Sequence, residues 1–457
     1  MESNDSRSLE VSMLRKIYMS AAALSLFASM VSAEVNFDGR GNAGLREQIA
    51  AMDAAVPEAT PEAADKGIID WLFGKKPEAP KAPAEWTIMV FSSAKNDLEK
   101  YLLMDLNEME LVGSNARVNI VAEVGRIKGY DSSDGDWTGV RRYLITKDSD
   151  KTKMGSTMLQ DLGMIDQGDY RNLAAFGKWA KQAYPAKKYM LIVSNHGSGW
   201  EKGVQRAVQN KGISYDEQSG NHINTPQLGL ALKEIGKVDV FGTDACLMQM
   251  AEVVYEIKDS VDYIVGSEET EPGDGYTYND FLGPVAARPT MTPREVGAQA
   301  VNAYADHYDR IDQGHTQSLA RASAVGRLLT VTDAFTAAVM NAGEKALAKS
   351  SRDSAINYAM DENRDLYDFT RLVVEGSRNA EVKAKGQALM NFITGELVLV
   401  NRTRDDKGGY WSGPKEYTLS KGMAAYFPSY GMGNGYNELA WAKASQWDEF
   451  VTWINQP

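Results

Sequence analysis

The chain carries a single cysteine and four histidines. Cys246 ends the run "VDVFGTDAC", and His196 ends the run "KKYMLIVSNH". Each follows a short stretch of strand-forming residues, and each is followed by a change of direction. A thiolate is a nucleophile and an imidazole can protonate a leaving amine. The apolar run after Cys246 reads as a helix, whose positive N-terminal end would lower the thiol pKa. Backbone N–H groups of Gly197 and Cys246 are placed to stabilise an oxyanion, since glycine permits close approach. These parts suit acyl transfer by a cysteine–histidine dyad. The residues alone also fit a blander reading, because a lone cysteine is commonly a small buried hydrophobe. Ser198 is not expected to be a nucleophile: "NHGSGW" lacks the G-x-S-x-G order of a nucleophile elbow.

Strand ends can present both groups only if the strands are neighbours in one sheet. "WTIMVFSSA", "RVNIVAEVG", "KYMLIVS", "VDVFGTDA" and "VDYIVGSEE" read as strands, with "TGVRRYLIT" as a further strand in a hairpin-like excursion. Between them lie helical patterns. "NDLEKYLLMDLNEMELVG" is expected to start from an Asn96 cap, and "NTPQLGLALKEIG" from a Thr225 cap with Pro226 in the first turn. "YRNLAAFGKWAKQAYP" and "LMQMAEVVYEIKD" complete the set. Alternating strands and helices predict an α/β fold, a mostly parallel sheet with helices on both faces. In such sheets reactive groups gather at the carboxyl ends of strands.

From Trp86 onward the chain resembles the clostripain family of cysteine peptidases, in the caspase, gingipain and legumain clan. The resemblance rests on "WTIMVFSSAKNDLE", "NEMELVGS", "DLGMIDQGD", "YMLIVSNHGSGW", "DVFGTDACLMQMAEVVYEI", "VGSEETEPGDGYTY" and "GMAAYFPS". It implies a caspase-like three-layer αβα sandwich with His196 and Cys246 as the dyad, acting through a thioester acyl-enzyme. It also implies cleavage after arginine or lysine. Asp244, two residues before the cysteine, is expected to project into the cleft, and Asp274 in "EPGDGY" matches the family's second pocket acid. A buried cation requires a paired carboxylate. Where many relatives have an aspartate after the first strand, this chain has Lys95, expected at the cleft rim. Ser267, Glu268 and Glu269 are read as a solvated loop near the cleft, and His222, His307 and His315 as surface histidines.

The 457 residues suffice for two or three domains, and a net charge of −13 argues against a general nucleic-acid binder. Met13 to Ala33 carries Arg15 and Lys16, an apolar run and a Val31-Ser32-Ala33 cleavage pattern, so residues 1–33 read as a secretory signal peptide, with Met13 an alternative start. Residues 34–85 are rich in Ala, Pro and Glu and read as a tether or pro-segment. A catalytic domain is placed at 86–335 and a mainly helical region, packed against it, at 336–457. The expected product is a secreted or periplasmic monomer without a stable membrane anchor, acting on proteins or peptides with basic residues. No cofactor or metal is expected. Some relatives use calcium, but there is no EF-hand loop here, and a calcium requirement is left open.

The segment from Glu201 to Pro226 between the two reactive residues is polar and carries Lys202, Arg206 and Lys211. Such a loop is a natural nicking site, and relatives are often cut here. Self-cleavage is expected after Lys211, with Arg206 next. Two other readings stay open: a weakly active peptidase-fold binding or scaffold protein, and a cysteine acyltransferase.

Overall fold

The structure, a computed structural model, describes residues 83–200, 212–408 and 414–457. The segments assigned to a signal peptide and nearly all of the tether lie outside these residues, as do Arg206 and Lys211. The chain order is β1 (Ala84–Ala94), α1 (Glu99–Val112), β2 (Val118–Arg126), β3 (Gly139–Leu144), β4 (Thr157–Gly163), α2 (Tyr170–Ala183), β5 (Ala186–Ser194), β6 (Ile213–Asp216), β7 (Asn221–Ile223), α3 (Thr225–Ile235), β8 (Val238–Asp244), α4 (Ala251–Ile257) and β9 (Val261–Gly266). There follow α5 (Tyr278–Ala287), α6 (Pro293–Arg310), β10 (His315–Arg321), α7 (Ala322–Asn341), α8 (Lys345–Ser354), β11 (Asn363–Asp365), α9 (Leu366–Gly376), α10 (Ala380–Phe392), β12 (Val398–Arg404), β13 (Ala424–Tyr426), α11 (Ala440–Ala444) and α12 (Trp447–Asn455).

One nine-stranded sheet runs β12-β10-β9-β8-β5-β1-β2-β3-β4. Its five central strands, β9, β8, β5, β1 and β2, are paired in parallel. Two more strands are added at each edge by antiparallel pairing, so a parallel centre is flanked by antiparallel edges. Side chains alternate between its faces, as the period of two requires. Met89 and Phe91 of β1 and Leu191 and Val193 of β5 join one apolar cluster with α2, α3, α4 and the C-terminal helices. Ile88, Val90, Met190 and Ile192 join the other, with α1, α5 and α6. This is the three-layer α/β sandwich expected from the sequence.

Several local readings are corrected. Helix α3 is capped by Asn224, one residue before the expected Thr225, and Gln227 completes a capping box. Asn96 does not cap α1. Its Oδ1 accepts from the Leu98 N–H just before the helix, which begins at Glu99 after Leu98. The expected division at 335/336 falls inside α7, and β12 extends the central sheet, so the described residues belong to one compact unit. The described part of the expected polar loop, from Gly212 to Pro226, is not an open loop: β6 and β7 pair as a hairpin, with Ile213, Ser214, Tyr215 and Asp216 buried. Among the described residues no helix is long and apolar enough to cross a membrane.

Candidate active site

Strands β5 and β8 are adjacent and parallel, with Ser194 opposite Asp244. His196 and Cys246 each lie two residues beyond that paired position. The sheet register therefore brings both to one edge, and both line a single cavity of about 330 Å³. Leu98 at the start of α1, Leu102 and Asp105 on it, Asp244 and Ala245, and Thr270 to Gly273 with Gly275 complete most of its wall. The two chain ends are packed backbone to backbone. A Cβ on Gly197 would lie 2.4 Å from the Cys246 carbonyl oxygen and 3.1 Å from its amide nitrogen. Only glycine fits there without displacement. The N–H groups of Gly197 and Cys246, expected to bind an oxyanion, thus sit on neighbouring backbones.

Cys246 is half-buried and does not start a helix. Helix α4 begins five residues later, at Ala251, and is under eight residues long. Leu247 instead takes a left-handed conformation, φ 65°. That is uncommon for a residue with a side chain and turns the chain sharply after the cysteine. The next residues run extended: the Leu247 and Gln249 amides donate to the Glu269 and Ser267 carbonyls, and Met250 bridges to Ala424. The expected dipole effect on the thiol is absent. Burial, reinforced by the Glu271 carboxylate, pushes the Cys246 thiol up to about 12. The Glu271 N–H donates to its Sγ at 3.3 Å.

His196 is partly exposed, and its Nε2 meets Asp97 Oδ1 at 2.6 Å. Its ring lies edge-on to Tyr215, with centroids 6.5 Å apart. Tyr215 is fixed in turn by its amide, which donates to Asn195 Oδ1 at 2.7 Å. The β6–β7 hairpin thus supports the histidine segment. Asp97 lies two residues after Lys95 in the "SAKNDLE" block and was not expected at the site. Lys95 is not at the rim. It is buried, donating to Asp216 Oδ2 at 3.0 Å and to the Ile165 carbonyl at 2.5 Å.

Carboxyl groups line the same cavity. Asp244 is 6% exposed and accepts from Tyr278 Oη at 2.9 Å, the Tyr276 N–H at 3.1 Å and Ser194 Oγ at 3.2 Å. Gly275, at φ 57°, allows this approach: a Cβ there would meet Asp244 Oδ1 at 2.6 Å. Burial raises the Asp244 carboxyl despite these donors. Glu271 lies beside it, held by Gln317 Nε2 at 3.0 Å, and burial together with the Asp244 charge raises it well above the usual range. Asp105 is buried and likewise raised, first by burial and then by the Asp244 and Glu108 charges. Glu108, one turn on, is raised to about 7, mainly by burial.

The structure does not bring Asp274 into this wall. It is exposed at a turn whose flanking glycines line the cavity. Asp105 and Glu271 are the acids that sequence reasoning missed. Asp105 had left a signal, since it interrupts the apolar face Leu98, Leu102, Leu106, Met109 of an amphipathic helix. Ser267, Glu268 and Glu269 are buried rather than solvated. Glu268 accepts from Tyr358 Oη at 2.8 Å and Ser420 Oγ at 2.6 Å, and Glu269 from Tyr417 Oη at 2.6 Å, so they tie the C-terminal region to the β9 end. His315 is buried beside Asp309, not on the surface. His222 and His307 are half-buried, the former stacked on Tyr215. Among the described residues no cluster of three or more histidine, cysteine or acidic side chains could hold a metal ion.

Comparison with known proteins follows the same outline. Clostripain from Hathewaya histolytica is 29% identical over 223 residues, which is 44% of this chain and 42% of that protein, so the match spans less than half of this curated relative. A secreted C11 cysteine protease from Bacteroides thetaiotaomicron, solved with an irreversible peptide inhibitor, superposes with a TM-score of 0.58 at 19% identity, covering 80% of this chain and 100% of that one. An inactive zymogen C11 protease from Parabacteroides distasonis gives a TM-score of 0.58 at 17% identity, covering 81% and 100%. These two likenesses establish the fold. The clostripain family model matches residues 90–453, from the middle of β1 to the last helix, and the chain belongs to that family.

Proposed function

We propose that this chain is a secreted or periplasmic cysteine endopeptidase that cleaves after arginine or lysine. The observation that carries the reading is the shared cavity: parallel strand ends in register bring His196 and Cys246 to one cavity that the carboxyls of Asp105, Asp244 and Glu271 also line. In the proposed reaction the Cys246 sulfur attacks the scissile carbonyl carbon and its proton passes to His196. The oxyanion forms against the Gly197 and Cys246 N–H groups. His196 then gives the proton to the departing amine, leaving a thioester, and water hydrolyses the thioester to regenerate the thiol. Asp97 contacts Nε2, which leaves Nδ1 for this proton traffic. Asp244 supplies a fixed negative charge for the basic side chain of the substrate, and Asp274 adds an outer charge near the rim.

Family membership supports the peptidase reading, as does the naming of one structural relative as a secreted protease. Another is named a zymogen, which fits cleavage within 201–211, after Lys211 or Arg206. The test is a pair of variants with a fluorogenic arginyl peptide. Cys246→Ala should abolish turnover while the thermal unfolding midpoint stays put, and His196→Ala should cost on the order of 10²–10⁴ in rate. Turnover surviving in Cys246→Ala would end the dyad assignment. Mass analysis of incubated wild type and Cys246→Ala reads self-processing in the same preparation. A cut at Lys211 or Arg206 that needs Cys246 is expected, and an equal cut in both would assign it to another protease.

A further inference from the structure

The carboxyl groups that share the reactive pair's cavity are not equivalent. Asp244 is the acid that the sequence singled out, yet its oxygens already accept from Ser194, Tyr276 and Tyr278. It offers a guest charge rather than a vacant acceptor. Asp105 is different. It lines the cavity, is 4% exposed, and among the described residues makes no hydrogen bond and no ion pair. Glu271 is intermediate: its Oε1 accepts from Gln317, while its Oε2 is sealed from solvent with no N–H or O–H donor among the described residues, and its carboxyl lies within hydrogen-bonding reach of the Asp244 carboxyl. Buried carboxyl oxygens without donors are costly. Asp105 on helix α1 and Glu271 on the loop after β9 therefore bring two carboxyl groups with free acceptor capacity to one cavity, which Asp244 also lines.

Resting on the peptidase reading, we infer that Asp105 is a specificity-determining residue whose carboxylate, together with Glu271 Oε2, directly receives the cationic side chain of the substrate, and that a guanidinium suits the two acceptors better than an ammonium. The geometry argues for this division of labour. A guanidinium is a planar fork with five N–H donors, able to reach separate acceptors at once, whereas an ammonium is a compact point charge. Asp244 stays tied to its own donors and neutralises the guest. The groups around Asp105 act in the same sense. Glu108 on its own helix, Asp244 on β8, and Glu271 and Asp274 on the loop all place negative charge toward it. Burial and mutual repulsion raise the Asp105 and Glu271 carboxyls, and a cation seated among them would act in the opposite sense.

The experiment compares three peptides that differ only at the cleaved residue: arginine, lysine, and citrulline, the neutral isostere of arginine. Wild type should rank them in that order in kcat/KM. Asp105→Asn keeps the shape and removes the charge. It should lose on the order of 30-fold or more in kcat/KM on the arginyl peptide, chiefly through KM. On citrulline it should lose under threefold, and its unfolding midpoint should be unchanged or higher. Asp105→Ser carries the same comparison should the asparagine variant not fold. Equal losses on arginyl and citrullinyl peptides, or none on either, would overturn the inference while leaving the peptidase reading intact. A wild-type preference for lysine would overturn the guanidinium claim. Wild type that cleaves none of the three would instead sink the peptidase reading and this inference with it.

Discussion

Replacing Gly197 with alanine puts one methyl group where two strand ends meet. Gly197 is not among the residues with positive φ, so its backbone would accept a side chain, and the cost is purely one of space. The added carbon would sit 2.4 Å from the Cys246 carbonyl oxygen, 3.0 Å from Ala245 Cβ and 3.1 Å from the Cys246 nitrogen. Ordinary C···O contacts begin near ~3.3 Å, so about 1 Å must be recovered by moving backbone, not a flexible side chain. The segment that yields is the one holding Cys246 or the one holding His196. Overpacking of this kind costs about 1–3 kcal/mol of stability. A displacement of about 1 Å between reacting groups costs on the order of 10² in rate. Gly197→Ala should therefore lower kcat for an arginyl peptide on the order of 100-fold, with KM changed less than about threefold because the acidic wall is untouched. Steady-state kinetics and a urea melt read both quantities. A variant with wild-type kcat and stability would mean that the two strand ends are not in contact, and the geometry of the reactive pair would have to be redrawn.

Three further expectations are independent of that one. The Cys246 thiol, raised to about 12 by burial and Glu271, should react slowly with iodoacetamide at pH 7, and the rate should climb about tenfold per pH unit through pH 9; a plateau between pH 6 and 8 would indicate a preformed thiolate. Buried Glu252, raised to about 7 by burial although Tyr426 N–H and Tyr436 Oη donate to it, binds its proton more tightly in the folded chain than in the unfolded one. Its contribution is whole below pH 4.5 and is lost as pH rises through about 7, worth about 3 kcal/mol over that window. Glu252→Gln should flatten the fall in unfolding free energy between pH 5 and 8, and an unaltered slope would assign the fall to other groups. Asp97→Asn, which removes the carboxylate that meets His196 Nε2, should reduce kcat/KM about tenfold. The effect is far below the ~10⁴ of a buried triad aspartate, because solvent screens this exposed pair; a variant with wild-type kcat/KM would leave Asp97 a bystander.

The parts of the site that sequence disclosed are those written in strand periodicity. "KKYMLIVS" and "VDVFGTD" had to be buried parallel strands, and their shared direction was enough to expect His196 and Cys246 at one edge. What followed Cys246 was misread for a physical reason. "LMQMAEVV" is apolar throughout, and a short apolar run does not distinguish a helix from an extended segment. The left-handed turn at Leu247 and the pairing of its successors with the β9 end decide the matter, and both depend on residues far along the chain. The β6–β7 hairpin was hidden by polarity, since Asp216 is buried only because Lys95 and Gln167 reach it. The acidic wall was half legible. Asp244 stood beside the cysteine, whereas Asp105 and Glu271 come from a helix and a loop that only the tertiary fold brings to the same cavity. Asp274 stands exposed at a turn beside the cavity rather than in its wall, which the glycines on either side of it in sequence did not reveal.

The most direct test of the central claim is to treat the purified chain with a biotinylated acyloxymethyl ketone bearing arginine at the reactive position, then locate the adduct by peptide mass mapping. The proposed dyad and acidic wall predict one adduct, on Cys246, suppressed in Asp244→Asn and absent in Cys246→Ala. The same reagent with citrulline in place of arginine should label Cys246 far more slowly. An adduct on another residue, or equal labelling of Cys246 by the arginyl and citrullinyl reagents, would contradict a cysteine peptidase that reads a cation in the cavity of its nucleophile.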